Sequence, residues 1–129
     1  MARILIVDDD PDILDMGRVV LGREGHEVLL ASNRAGGMKM VTEEHPDLLV
    51  LDVMMEVIDD GFVMARELRQ QGNTVPILIL TSINAATGMK FAVDPVLAPV
   101  DDLQEKPLYP KDLIDRVNRL LAARDASPA

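Results

Sequence analysis

The 129-residue chain has no cysteine and no tryptophan, and only one tyrosine and two phenylalanines. Without cysteine there are no disulfides, no thiolate chemistry and no Cys-ligated zinc, which fits a reducing compartment. So few aromatics disfavour a stacking platform for bases or sugars. Positive charge is also scarce: 13 Lys and Arg stand against 22 Asp and Glu, a formal charge of −9. That disfavours nucleic acid as a direct partner, because phosphate neutralisation needs clustered Lys and Arg. The longest apolar runs are about five residues, far short of a membrane span. The opening MARILIVDDD turns acidic too soon for a secretory signal. These features describe a cytoplasmic protein without a membrane partner. The length suits one domain, read as residues 1–123, with RDASPA (124–129) as a disordered tail.

What the chain does have is short apolar runs alternating with helical patterns. Ile4–Val7, Glu27–Leu30, Leu48–Leu51, Ile77–Leu80 and a brief Leu103–Glu105 read as strands. Pro11 to Arg23 reads as a helix, with Pro near its start and Ile13, Met16, Gly17, Val20 and Leu21 on one face, ended by Gly25. Residues 34–44 form a weaker helix diluted by Gly36 and Gly37. Gly61–Gln71 and Lys111–Ala123 complete the set. Strands apolar on both faces and separated by helices predict a parallel sheet covered on both sides. The arrangement suits an α/β, doubly wound, five-stranded parallel sheet of the flavodoxin-like kind, strand order 2-1-3-4-5. One interval breaks the rhythm: residues 83–102 hold Gly88, Pro95 and Pro99 and no clean helical period, so an irregular fourth helix region is expected.

In such a sheet, functional groups gather at the carboxyl ends of the strands. Those ends carry Asp8 and Asp9, then Asp52, then Thr81 and Ser82, then Lys106. Three carboxylates brought together repel unless their pKa values rise or a cation neutralises them. Hard oxygen donors with no His or Cys favour Mg²⁺ or Mn²⁺. With the Lys106 ammonium and the Thr81 hydroxyl added, the set suits a phosphoryl group that a carboxylate can attack in line. Taken singly, each residue has an ordinary reading. Asp8, Asp9 and Asp10 fit a helix N-cap region, Asp10 best because Pro11 follows. Asp52 could start a turn, Lys106 could be a surface lysine, and His26 and His45 read as solvated side chains beside turns. Together they require four coincidences at four strand ends.

The segments ILIVDDDPDI, LLVLDVMM, DDGFVMARELR, ILILTS and EKPLYPKDLIDRV, in this order, resemble the receiver domain of bacterial two-component response regulators, including the chemotaxis regulators, over essentially the whole chain. The resemblance implies that Asp52 is the phosphoacceptor. It implies that Asp9 ligates Mg²⁺ directly, Asp8 largely through water, and the Met54 carbonyl as a third protein ligand. Thr81 would be the switch hydroxyl, Lys106 the phosphate partner, and Lys106–Pro107 a cis peptide bond. The implied partners are a sensor histidine kinase or phosphotransfer protein and an unnamed downstream protein. The domain would be a monomer or weak dimer, not an enzyme beyond its own phosphotransfer and autodephosphorylation. With no segment after the domain, no DNA-binding output is expected.

The chain departs from that family's pattern in several places. Glu56 stands where Pro is usual, Gly61 lies nine residues after Asp52 instead of eight, and the interval from Thr81 to Lys106 is a few residues longer. Leu103 occupies the place of the aromatic switch residue. Met54 and Ile83 are apolar where a water-orienting side chain is common, which implies a long-lived phosphate unless Glu56 reaches it. The weak helical pattern of residues 84–102 implies that this segment would reorder on phosphorylation. Two other readings remain: an interaction domain independent of phosphate, and an aspartate-nucleophile phosphatase, which would want an acid where Met54 stands. A flavin-binding domain would want a Gly- and hydroxyl-rich loop in place of the three aspartates.

Overall fold

The computed structural model describes residues 2–52, 60–81, 102–105 and 109–126, with backbone alone at 60–62, 81, 103, 105 and 124–126. In chain order these form β1 (Arg3–Val7), α1 (Pro11–Arg23), β2 (Glu27–Ala31), α2 (Arg34–Glu44), β3 (Leu48–Asp52), α3 (Asp60–Gln70), β4 (Ile77–Thr81), β5 (Asp102–Glu105) and α4 (Pro110–Ala126). All strand pairings are parallel and the order is β2-β1-β3-β4-β5, as the alternating pattern predicts. The expected irregular helix region lies almost wholly outside the described residues.

The apolar runs are continuous because both faces of the sheet are covered. Leu5, Val7, Leu49, Leu51, Ile77 and Ile79 pack with Val41 of α2 and Met64, Ala65 and Leu68 of α3. The alternate residues Ile4, Ile6, Leu48, Val50, Leu78 and Leu80 pack with Leu21 of α1 and with Leu113, Val117, Leu120 and Leu121 of α4. Each fully buried Leu or Ile contributes about 1.5–3 kcal/mol of transfer free energy, so these two layers carry the fold.

Local chemistry sets the helix ends. Asp10 caps α1 through a side-chain oxygen that accepts the Asp12 N–H at 2.9 Å, and Pro11 fills the first turn. At the other end Gly25 takes φ +90°, while the Gly25 and His26 amides donate to the Gly22 and Leu21 carbonyls at 3.1 and 3.2 Å. Asn33 caps α2 by accepting the Gly36 N–H at 2.7 Å. Gly37 does more than dilute that helix: a Cβ there would lie 2.9 Å from Val7 Cγ2 and 3.1 Å from Met64 Cε, so its bareness lets α2 approach β1. The final helix extends to Ala126, so the first part of the segment read as a disordered tail is helical. Ala122, Ala123, Arg124 and Ala126 are strong helix formers, which accounts for the extension.

At the amino-terminal edge of the sheet, Arg3 of β1 ties β2, α2 and the connection before β3 together. Its N–H donates to Asp47 Oδ2 at 2.8 Å, and its guanidinium donates to Glu27 Oε2 at 2.9 Å and to the Glu44 carbonyl at 2.6 Å. His26 beside it is half-buried, not simply solvated, because its Nδ1 accepts the Ala2 N–H at 3.1 Å. His45 is exposed and closes α2 in the left-handed region at φ 49°. Among the described residues no helix is long and apolar enough to cross a membrane.

Candidate active site at the carboxyl edge of the sheet

Because all strands run parallel, their carboxyl ends share one edge. Val7 pairs with Leu51, so the next residues, Asp8 and Asp52, leave neighbouring strands side by side. The Asp8 N–H donates to the Ala31 carbonyl at 3.1 Å, continuing the β1–β2 ladder by one rung and fixing the Asp8 backbone. Asp8 is fully buried, Asp52 is 5 % exposed and Asp9 is open to solvent. One carboxylate oxygen from each of the three lies within 4.8 Å of the others. The Asp8 Oδ1 accepts the Asp10 N–H at 2.9 Å, which connects the cluster to the first turn of α1.

The electrostatics of this arrangement call for positive charge. Two unit charges at such a separation repel by roughly 3 kcal/mol at an effective dielectric constant of 20, and burial penalises the ionised form further. The amino end of α1 offers partial positive charge nearby, but the helix dipole contributes only about 0.3–1 kcal/mol. The donor set is oxygen throughout, without nitrogen or sulfur, and it is anionic and partly buried. These properties fit Mg²⁺ or Mn²⁺, which take carboxylates and water, better than a transition metal of softer preference.

The three aspartates singled out from sequence are therefore brought together. Thr81 ends β4 at the same edge, its backbone paired with Glu105, the residue immediately before Lys106. Lys106, Met54, Glu56, Asp59, Ser82, Ile83 and Pro107 lie outside the described residues, as do the side chains of Asp60, Thr81 and Leu103. Two features escaped the sequence reading. Asp10 was legible as a helix cap, but nothing in the sequence showed that its amide would reach back to Asp8. Gln104 is 5 % exposed in β5, and among the described residues no hydrogen bond reaches its Oε1. Its register partner is Leu80, itself the partner of Asp52, so Gln104 stands in the same row of the sheet as the acidic site. A lone polar residue between Leu103 and the lysine segment was the available signal.

The comparisons with known proteins agree with this architecture. The response regulator receiver domain profile matches residues 4–118. The chain is 38% identical over 119 residues to the response regulator MprA of Mycobacterium leprae, covering 92% of this chain and 50% of that protein. MprA of Mycobacterium tuberculosis is 37% identical over the same length and coverage. The chain thus spans about half the length of the curated relatives it matches. Among solved structures, a response regulator from Chloroflexus aurantiacus superposes with a TM-score of 0.84 at 32% identity, covering 94% of this chain and 98% of that one. A response regulator receiver domain protein from Clostridium thermocellum gives 0.86 at 25% identity, covering 97% and 98%. With its parallel sheet order, its acidic edge and this match along most of its length, the chain belongs to the response regulator receiver domain family of two-component signalling.

Proposed function

We propose that this domain accepts a phosphoryl group on Asp52 from the phosphohistidine of a sensor histidine kinase or phosphotransfer protein, and changes its binding partner when phosphorylated. The observation that carries this reading is the convergence of Asp8, Asp9 and Asp52 at one edge of the sheet, with Asp8 and Asp52 buried. In the transfer, a carboxylate oxygen of Asp52 attacks phosphorus in line. The phosphorus–nitrogen bond to the donor imidazole breaks, and the imidazole nitrogen leaves with the electron pair. Asp8 and Asp9, with Asp52 and the Met54 carbonyl, are the groups that would hold Mg²⁺ or Mn²⁺. The bound cation would neutralise charge on the phosphoryl oxygens.

The remaining roles rest on position in the sequence. Lys106, directly after Glu105 of β5, is the ammonium that pairs with a phosphoryl oxygen. Thr81, at the end of β4, is the hydroxyl that donates to the same group and reports its arrival. Leu103 is the switch position in β5. The protein is consumed and restored by this chemistry and needs no separate substrate turnover.

Intact mass measurement after treatment with a small acyl phosphate tests the reading. One added phosphoryl group is expected, dependent on Mg²⁺, lost on exposure to alkali, and absent from Asp52→Asn. Labelling of Asp52→Asn as fully as the parent chain would overturn the assignment.

A further inference from the structure

We propose that Asp10 is a positioning residue for the metal site: its own side chain fixes the start of α1, and its main-chain N–H, so fixed, orients the Asp8 carboxylate. The inference rests on the reading that the acidic cluster binds a divalent cation, and it adds a residue outside the ligand set.

Every polar group of Asp10 is engaged. Its N–H donates to Asp8 Oδ1 at 2.9 Å, and its Oδ1 accepts the Asp12 N–H at 2.9 Å. Its carbonyl accepts the Ile13 and Leu14 amides at 3.1 and 3.2 Å. The torsions, φ −88° and ψ 111°, are the extended values required of a residue before proline, so Pro11 restrains the same unit from the other side. Asp10 itself is exposed, so burial does not explain these contacts. Asp8, by contrast, is fully buried at the end of β1, with its amide fixed to Ala31. Its carboxylate can still rotate about the side chain unless a donor holds it. The Asp10 amide is one such donor.

An ionised carboxylate has about four acceptor positions. A hydrogen bond from the Asp10 N–H to one oxygen favours one rotamer of the carboxylate that a cation or its waters would meet. A ligand already oriented loses less freedom when the ion binds, which is how groups beyond the ligand set raise metal affinity. The side-chain cap is what keeps the donor in place. Without it, the amides of the first turn of α1 seek water, and the Asp10 torsions loosen together with the Asp8 Oδ1 contact.

A competing account is that Asp10 acts only through its negative charge, a few residues from the ion. Substitution separates the two. Asn and Ser retain a capping oxygen and remove the charge, whereas Ala removes both. The experiment is a calorimetric titration of the whole chain with Mg²⁺ alone, without phosphodonor, on the parent, Asp10→Asn, Asp10→Ser and Asp10→Ala. Positioning predicts Asn and Ser within about twofold of the parent and Ala weaker by about tenfold, the lower end of losses seen for groups that orient metal ligands. Equal affinity for Ala and the parent overturns the proposal, and so does a loss in Asn and Ser as large as that in Ala. A parent chain that binds no Mg²⁺ overturns the metal reading itself, a result distinguishable from either. Should Asp10→Ala not fold, amide exchange in the parent decides. The Asp10 N–H should exchange more slowly than that of Asp9 and shift when Mg²⁺ is added; rapid exchange without a shift overturns the proposal.

Discussion

Asp8 and Asp52 leave the ends of adjacent parallel strands, both buried, each with an oxygen within 4.8 Å of the other. Two like charges in that position oppose the fold that brings them together. A cation bound there, or the loss of one charge, relieves that repulsion.

The first prediction follows directly. Asp52→Asn should raise the unfolding free energy in metal-free solution by on the order of 1 kcal/mol, because it removes one charge of the cluster while keeping its shape. Saturating Mg²⁺ should raise the melting temperature of the parent and raise that of Asp52→Asn much less. Denaturant and thermal melts with EDTA and with Mg²⁺ check the two arms. An unchanged parent midpoint at saturating Mg²⁺ would count against a preformed site.

Much of this was readable in the sequence, for a physical reason. Leu48–Leu51 is apolar at every position, which a half-solvated strand cannot be, so a two-sided parallel sheet followed and with it a shared carboxyl edge for Asp8, Asp9 and Asp52. What stayed hidden depends on contacts between distant segments. Gly37 looks like a poor helix residue until Val7 and Met64 are seen against it. His26 looks solvated until β2 pairs with β1 and brings Ala2 beside it. The helical reach of Ala122–Ala126 was masked by the charged, proline-containing end of the chain, which reads as a tail even though its alanines favour helix.

The glycines give a paired test. Gly37→Ala gains up to about 1 kcal/mol of helix propensity but drives a methyl group into Val7 and Met64, an overpacking cost of about 1–3 kcal/mol. The net should be destabilising. Gly22→Ala in α1 meets nothing within 4 Å, so it should gain about 0.4–1 kcal/mol. Thermal melts of the two variants should move in opposite directions. A stabilised Gly37→Ala would mean that α2 can shift outward without loss.

Gln104 allows a test on the far side of β4. It is buried beside the Leu80 row on the face covered by α4, and its Oε1 lacks a hydrogen-bond partner among the described residues. A buried acceptor left unmade costs about 1–3 kcal/mol. Gln104→Leu, close in volume and without polar atoms, should therefore stabilise the domain by on the order of 1 kcal/mol, read from urea denaturation at pH 7. A loss of stability would show that the amide is fully satisfied and that its hydrogen bonds outweigh the apolar gain.

The last prediction concerns acid. The His26 imidazole is held below its ordinary value of 6.5, first by desolvation and then by the positive charge of the chain's amino terminus, with Glu24 opposing. The geometry agrees, since Nδ1 must be unprotonated to accept the Ala2 N–H. A depressed folded-state pKa means the unfolded chain takes up the proton first. The stabilising contribution is therefore complete above the unfolded value, about 6.5, and is lost as pH falls through the lower folded value. His26→Asn keeps an acceptor oxygen near the Nδ1 position and does not titrate. In denaturant melts between pH 7.5 and 5, chosen to span that range, the parent should lose stability relative to His26→Asn as the solution is acidified, while the two stay parallel above about pH 7. The comparison cancels the titration of the aspartates at the other edge, which both chains share. A constant difference between parent and variant across the whole range would show that His26 does not titrate with folding.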